Sequence, residues 1–274
     1  MKNKLLIIVP VVMIAALILV IVGLKKKARA PVFSEEKKES QLSLSALLSQ
    51  AKDFEATGNL LQAKSMYQKL VSEFPNSQEV VSWQKKSEDM NIKLLFSPTI
   101  TPNSLLYEIK PGDTLSKIAK EFKTTTDLIK KSNNMSGDVI LPGRKIKVWS
   151  APFSILADKS QNTLMLKCDE QVFKTYIVST GKNNSSPLGT FKIVNKIENP
   201  TWFKAGTVVP PESPENILGT RWMGFDLAGY GIHGTTEPQF LGQQVTQGCI
   251  RMANPDVEEL YIIVPVGTEV TIVD

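Results

Sequence analysis

A chain of 274 residues with 42% apolar and 22% charged side chains carries enough apolar material for real cores, which excludes wholesale disorder. The formal net charge of +5 is modest, and no basic stretch interleaved with aromatics follows a phosphate backbone, so no nucleic acid is expected as a partner. One histidine and two distant cysteines cannot supply clustered metal ligands, and no cofactor is implied.

Residues 1–29 read as a membrane anchor with a basic flank. Residues 5–24 carry no charge, and a helix of that length crosses a hydrocarbon layer of roughly 30 Å. Lys25, Lys26, Lys27 and Arg29 follow directly and suit lipid headgroups. The alternative is a cleaved signal peptide, with Ala28-Arg29-Ala30 imitating a cleavage site, but the apolar core is long for that and lysines intervene. Lys2 and Lys4 precede the segment while four cations follow it, so the positive-inside count opposes an exported carboxyl end. The downstream domains override that count and predict an extracytoplasmic, single-pass anchored protein of the cell envelope.

Residues 30–42 are rich in charge and read as a short tether. Residues 43–96 form a helical region: Leu44, Leu47, Leu48 and Ala51, then Ala63, Met66, Tyr67, Leu70, Val71 and Phe74, recur at helical spacing. Gly58-Asn59 and Pro75-Asn76 separate the helices, and Val80, Trp83, Ser87, Met90 and Leu94 mark a third. Gly58, Leu60, Ala63, Tyr67, Leu70 and Pro75 resemble the second half of a tetratricopeptide-type repeat. That reading implies a docking module for a protein partner; the plainer one is a helical spacer.

Residues 97–103 are a Ser/Thr/Pro linker. Residues 105–149 then read as a βααβ unit: a strand from Tyr107, a Pro111-Gly112 turn, Asp113 as helix cap, a second helix through Leu128 and Ile129, and a strand at 145–149. The wording Tyr-Glu-Ile-Lys-Pro-Gly-Asp-Thr-Leu-Ser-Lys-Ile-Ala closely resembles the LysM family. The resemblance implies binding to N-acetylglucosamine-containing glycan strands of peptidoglycan, with Gly112, Asp113, Thr114, Leu115, Leu141 and Pro142 at the sugar groove.

Residues 152–274 switch to short alternating runs at 153–157, 163–167, 172–178, 190–196, 222–225 and 269–273, punctuated by glycine and proline, which predicts a mainly β domain. One helix is signalled, with Asn254 as cap and Pro255 in its first turn. The sole histidine, His233, lies in Tyr-Gly-Ile-His-Gly-Thr-Thr, and Cys249 lies in Thr-Gln-Gly-Cys-Ile-Arg-Met. Neutral imidazole can take the proton of a thiol, and the thiolate attacks carbonyl carbon far better than the thiol does. A Cys168–Cys249 disulfide is the competing reading.

Val-Ser-Thr-Gly-Lys at 178–182, Pro-Leu-Gly-Thr-Phe at 187–191, Asn-Pro-Thr-Trp at 199–202, Leu-Gly-Thr-Arg-Trp-Met-Gly at 218–224, Ile-His-Gly-Thr and Gly-Cys-Ile-Arg-Met together resemble the L,D-transpeptidase (YkuD) catalytic domain. The resemblance implies a β-sandwich with cysteine and histidine facing one another in a cleft, and peptidoglycan stem-peptide cross-linking through a cysteinyl thioester. Carried over by position, Cys249 is the nucleophile and His233 the base and later acid, with the Gly234 carbonyl orienting the imidazole. Backbone N–H groups of Gly248 and Cys249 form the implied oxyanion hole. The family often has its own histidine where Gln247 stands. Tyr230, Thr235, Gln247 and Arg251 are substrate-binding candidates, Arg251 for a carboxylate unless it pairs with Asp256 or Glu258. For Trp202, Arg221, Trp222 and Tyr230, packing is the first expectation and cleft lining the second. Cys168 reads as a strand filler, and spacing does not place Glu237. Rival readings are an L,D-carboxypeptidase, a non-catalytic wall-binding scaffold, and a serine transpeptidase through Ser49-Gln50-Ala51-Lys52, which lacks the accompanying motifs.

Overall fold

The computed structural model describes residues 32–204 and 206–274. The expected anchor at residues 5–24 lies outside them; among the described residues no helix is long and apolar enough to cross a membrane.

Three helices come first, α1 (Val32–Ala56), α2 (Leu60–Glu73) and α3 (Val80–Leu95). The expected tether is instead helical from Val32, because no glycine or proline interrupts the chain before Gly58, whose φ of +73° ends α1's run. Leu47, Ala51, Ala63, Tyr67, Leu70, Trp83 and Met90 form a core of their own. The other face of α3 is sealed against the β domain. Ile92 and Leu95 enter its core, the Glu88 carboxylate accepts from Thr175 N (3.0 Å) and Oγ1 (3.2 Å), and Asn91 Nδ2 donates to Phe173 O (2.8 Å). A further stacked repeat would need that face, so the region is a three-helix brace on the next domain. Glu88→Ala strips a buried acceptor from three donors, Thr175 N, Thr175 Oγ1 and Gln84 Nε2, and is expected to cost about 2–3 kcal/mol in urea unfolding. An unchanged midpoint would contradict the brace.

The βααβ unit is β1 (Ser104–Glu108), α4 (Leu115–Glu121), α5 (Thr126–Ser132) and β2 (Lys145–Trp149), with β1 and β2 antiparallel. Thr114, not Asp113, caps α4, its hydroxyl accepting from Lys117 N at 3.2 Å. Asp113 instead closes the preceding turn, accepting from Lys110 N (2.8 Å) and Tyr107 OH (2.9 Å). Leu115 is corrected as a groove residue: its side chain is buried with Ile109, Ile118, Ile129, Ile146 and Val148. Gly112, Thr114, Leu141 and Pro142 are exposed.

This unit does not hang on a loose linker. Leu128 and Trp149 belong to the same core as the strands of residues 152–274, and Thr125 Oγ1 donates to Ile262 O. Buried Lys147 donates to Leu94 O (2.7 Å) and Ser97 O (2.8 Å), tying β2 to the end of α3.

The β domain contains β3 (Phe153–Asp158), β4 (Thr163–Cys168), β5 (Gln171–Gly181), β6 (Gly189–Glu198), the hairpin β7 (Trp202–Lys204) and β8 (Thr207–Val209), β9 (Arg221–Phe225), β10 (Gly231–His233), β11 (Gln244–Thr246), β12 (Ile250–Met252), helix α6 (Asn254–Ile263) and β13 (Glu269–Val273). Nine strands run in the order β11-β5-β12-β10-β9-β6-β13-β3-β4, and β5 also pairs with β4. The long β5 thus closes the sheet on itself, using its first part for β4 and Val178–Ser179 for β12. This is a mostly β, sandwich-like barrel. Its interior is Ile155, Leu164, Leu166, Val178, Ile193, Met223, Ile232, Ile250, Met252, Val270 and Ile272, with Val257, Leu260 and Ile263 of α6.

Candidate active site

His233 and Cys249 come together because β10 and β12 are parallel neighbours. Their register sets Ile232 beside Ile250 and His233 beside Arg251, so Gly231 adjoins Cys249, the residue just before β12. Residues two apart share a strand face, which puts Cys249 and His233 diagonally on the same side of the sheet. Both line one cleft of about 650 Å³, with Trp202, Phe203, Leu218, Trp222, Tyr230, Val245, Thr246, Gln247 and Arg251. Both cysteines are free, so the disulfide reading falls. Cys168 lies buried in β4, its thiol pushed up to about 11, chiefly by burial.

The imidazole is 3% exposed and stacks on Trp222, its cross-strand partner, at 5.9 Å and 19°. Its Nδ1 lies 2.7 Å from the Gly234 carbonyl. A carbonyl only accepts, so in the neutral ring Nδ1 carries the proton and Nε2 keeps its lone pair. Burial, opposed by the Gly234 carbonyl and assisted by the Arg251 charge, pulls the ring's pKa down to about 4. Burial likewise raises the Cys249 thiol, against the pull of the Gly231 N–H and Arg251. The resting pair is therefore neutral thiol and neutral imidazole, and the S–H points to the Gly229 carbonyl at 3.5 Å.

The depressed histidine has a stability consequence. Between its ordinary value near 6.5 and about 4 the unfolded chain binds a proton that the folded chain refuses. Stability should therefore fall as pH drops through that window, by about 3 kcal/mol from this group alone, and level off below it. His233→Asn should remove that component when unfolding free energies at pH 7 and pH 4 are compared. Equal slopes in the two proteins would refute it.

The turn at 246–249 is built locally. Thr246 Oγ1 donates to Cys249 O (2.6 Å) and accepts from Gly248 N (3.2 Å), a side-chain turn that presents the thiol at the end of β12. Gly248 has φ +129°, and a Cβ there would meet Tyr230 Cε1 at 2.6 Å and Ser185 O at 3.1 Å. At rest the Gly248 N–H, expected in an open oxyanion hole, is thus already engaged by Thr246. Gly231 is also held to glycine, since a Cβ would lie 2.6 Å from Met223 O. Sequence reasoning missed Thr246 and Gly231; the short motif spacing around Cys249 and His233 was their only signal.

Tyr230, Gln247 and Arg251 line the cleft; Trp202 and Trp222 line it too, where packing was the first expectation and lining the second. Thr235 does not: it is 3% exposed, with its hydroxyl accepting from Glu237 N, which corrects its substrate-binding role. Arg251 pairs with Glu237 at 2.9 Å, not with Asp256 or Glu258. Glu237 therefore serves the arginine, and a backbone carbonyl takes the orienting position beside the imidazole. Arg221 lies over Tyr261 and near Glu198. The cleft's outer wall is the β7–β8 hairpin, where Phe203 is 77% exposed. Buried Asn216 ties the segments flanking it, donating to Pro200 O (2.9 Å) and accepting from Leu218 N (3.0 Å).

The family model for the L,D-transpeptidase catalytic domain (YkuD) matches residues 152–272, and that for the LysM domain matches residues 107–149. The protein named "Putative L,D-transpeptidase YkuD" of Bacillus subtilis (strain 168) is 35% identical over 175 residues, 61% of this chain and 98% of that relative. A second Bacillus subtilis relative, "Putative L,D-transpeptidase YqjB", is 41% identical over 126 residues, 44% of this chain and 70% of its own. The solved catalytic domain of an E. faecium L,D-transpeptidase is 26% identical, covering 45% of this chain and 98% of its own, with a TM-score of 0.38.

Proposed function

This chain belongs to the L,D-transpeptidase (YkuD) family, and on that premise we propose that it cross-links peptidoglycan stem peptides through a thioester on Cys249. The observation that carries the assignment is the shared cleft face of one free thiol and the chain's sole imidazole, with Nε2 left unprotonated.

In the first half-reaction the Cys249 S–H leaves the Gly229 carbonyl and gives its proton to His233 Nε2. The sulfur forms a bond to the carbonyl carbon at the L-centre of a third-position diamino acid. The tetrahedral oxyanion draws on the Cys249 N–H, and on the Gly248 N–H once that leaves Thr246 Oγ1. Collapse breaks the amide bond, and His233 passes the proton to the departing D-alanine amine. In the second half-reaction a side-chain amine of another stem loses its proton to His233 as it attacks the thioester. The thiolate leaves and is reprotonated. Because burial disfavours charge on either partner at rest, the ion pair forms only as substrate fills the cleft and displaces the S–H from Gly229.

Mass spectrometry of purified tetrapeptide muropeptides incubated with the protein tests this reading. Dimers that have lost one D-alanine are expected; tripeptides alone would make it an L,D-carboxypeptidase, and unchanged substrate a scaffold. The apolar, aromatic cleft wall favours an acceptor peptide over water.

The LysM domain supports glycan binding through the exposed edge of Gly112, Thr114, Leu141 and Pro142. Leu141 is 64% exposed, and Leu141→Asp should reduce co-sedimentation with sacculi; undiminished pelleting would exclude this edge. An anchor at residues 5–24 would hold both domains outside the cytoplasmic membrane, where the substrate lies.

A further inference from the structure

We propose that Asn254 is a positioning residue that sets the tautomer and orientation of His233 by stapling the two backbone segments whose carbonyls face the imidazole. The inference rests on the thiol–imidazole reading above. As the first residue of α6 the side chain was expected to cap its own helix, yet it makes no cap: Ala253 takes that position without a side-chain bond. Asn254 Oδ1 instead accepts from Thr235 N at 3.0 Å and from Thr220 N at 3.3 Å.

Those two donors belong to the segments that control the ring. Thr235 follows Gly234, whose carbonyl takes the Nδ1 proton at 2.7 Å, and Thr220 lies two residues after Leu218, whose carbonyl also acts on the imidazole. The fit is tight from both sides. A Cβ added at Gly219 or at Gly234 would lie 2.2 Å from the same Asn254 oxygen, so both positions admit only glycine beside it. The amide oxygen thus fills a gap between two strand ends where no side chain fits. Among the described residues no carboxylate bonds His233, so the peptide plane of Gly234 does the work of a third member, and a peptide plane can rotate unless something holds it. Thr235 N is the other end of that plane, and Asn254 holds it. When the bond to Thr235 is lost, the Gly234 carbonyl is free to turn from Nδ1, and the proton gains access to Nε2, where it blocks acceptance from the thiol.

The chain has a single histidine, so its imidazole can be read without assignment. The full chain, purified without a histidine tag and labelled with nitrogen-15 histidine, should show one Nδ1–H tautomer titrating near pH 4. Asn254→Ala should populate the Nε2–H tautomer and move the midpoint upward, and kcat should fall by at least about tenfold with KM little changed. Asn254→Asp keeps the acceptor and should restore the Nδ1–H tautomer. A merely structural role would lower the melting temperature and leave the tautomer alone. A folded alanine variant with unaltered tautomer and midpoint overturns the proposal. If that variant does not fold, Asn254→Ser, whose shorter arm weakens both bonds, carries the same test. The thiol–imidazole reading fails separately, if Cys249→Ala still forms product.

Discussion

Cys249→Ala is expected to abolish cross-linked product, with a fall in kcat of about 10³-fold or more, while leaving the melting temperature nearly unchanged. The thiol shares the cleft with the imidazole and is held only by weak bonds to the backbone of Gly229 and Gly231, so its removal costs chemistry and little packing. His233→Asn should produce a loss of similar size, and the double variant should be no worse than either alone, because the two groups act as one unit. Burial holds both groups neutral at rest, so Cys249 should react with iodoacetamide at pH 7 more slowly than a free thiol does. Muropeptide turnover and alkylation rate check the two statements. A substantial residual rate in Cys249→Ala would end the nucleophile assignment, and fast alkylation would show a preformed ion pair.

Gly248→Ala is expected to lower kcat by about 10²-fold or more through the turn that aims Cys249. At φ +129° an alanine is strained whatever its surroundings, and here its methyl also meets Tyr230 and the Ser185 carbonyl. The turn relieves this by shifting, which moves the N–H groups of residues 248 and 249 away from the developing oxyanion and breaks the Thr246 bridge. Loss should appear mainly in kcat, with acylation by a β-lactam slowed in parallel. Normal acylation would mean that this turn supplies no oxyanion stabilisation.

The long strands were legible because alternation over five or more residues has one reading; the runs from 153, 163, 172, 190 and 269 all became strands with boundaries shifted by a few residues. The strands that build the site were not. β10, β11 and β12 have three residues each, too short for a period to declare itself, and their pairing joins segments far apart in the chain. The helical tether failed for the opposite reason: charge was read as looseness where the absence of glycine and proline allowed a helix to continue.

The glycine-flanked thiol and imidazole are chemically scarce in this chain, one histidine and two cysteines, so composition and motif alone marked them and the kind of acyl transfer they support. Which groups surround them depended on the fold. Burial lowers the imidazole pKa, Glu237 goes to Arg251, Thr235 turns inward, and the Asn254 side chain reaches away from its helix to hold Thr220 and Thr235. Each of those outcomes is set by desolvation and by hydrogen-bond geometry between segments distant in sequence. Local spacing carries no record of either; only the closed sheet, with β10 laid parallel to β12, brings the partners within reach.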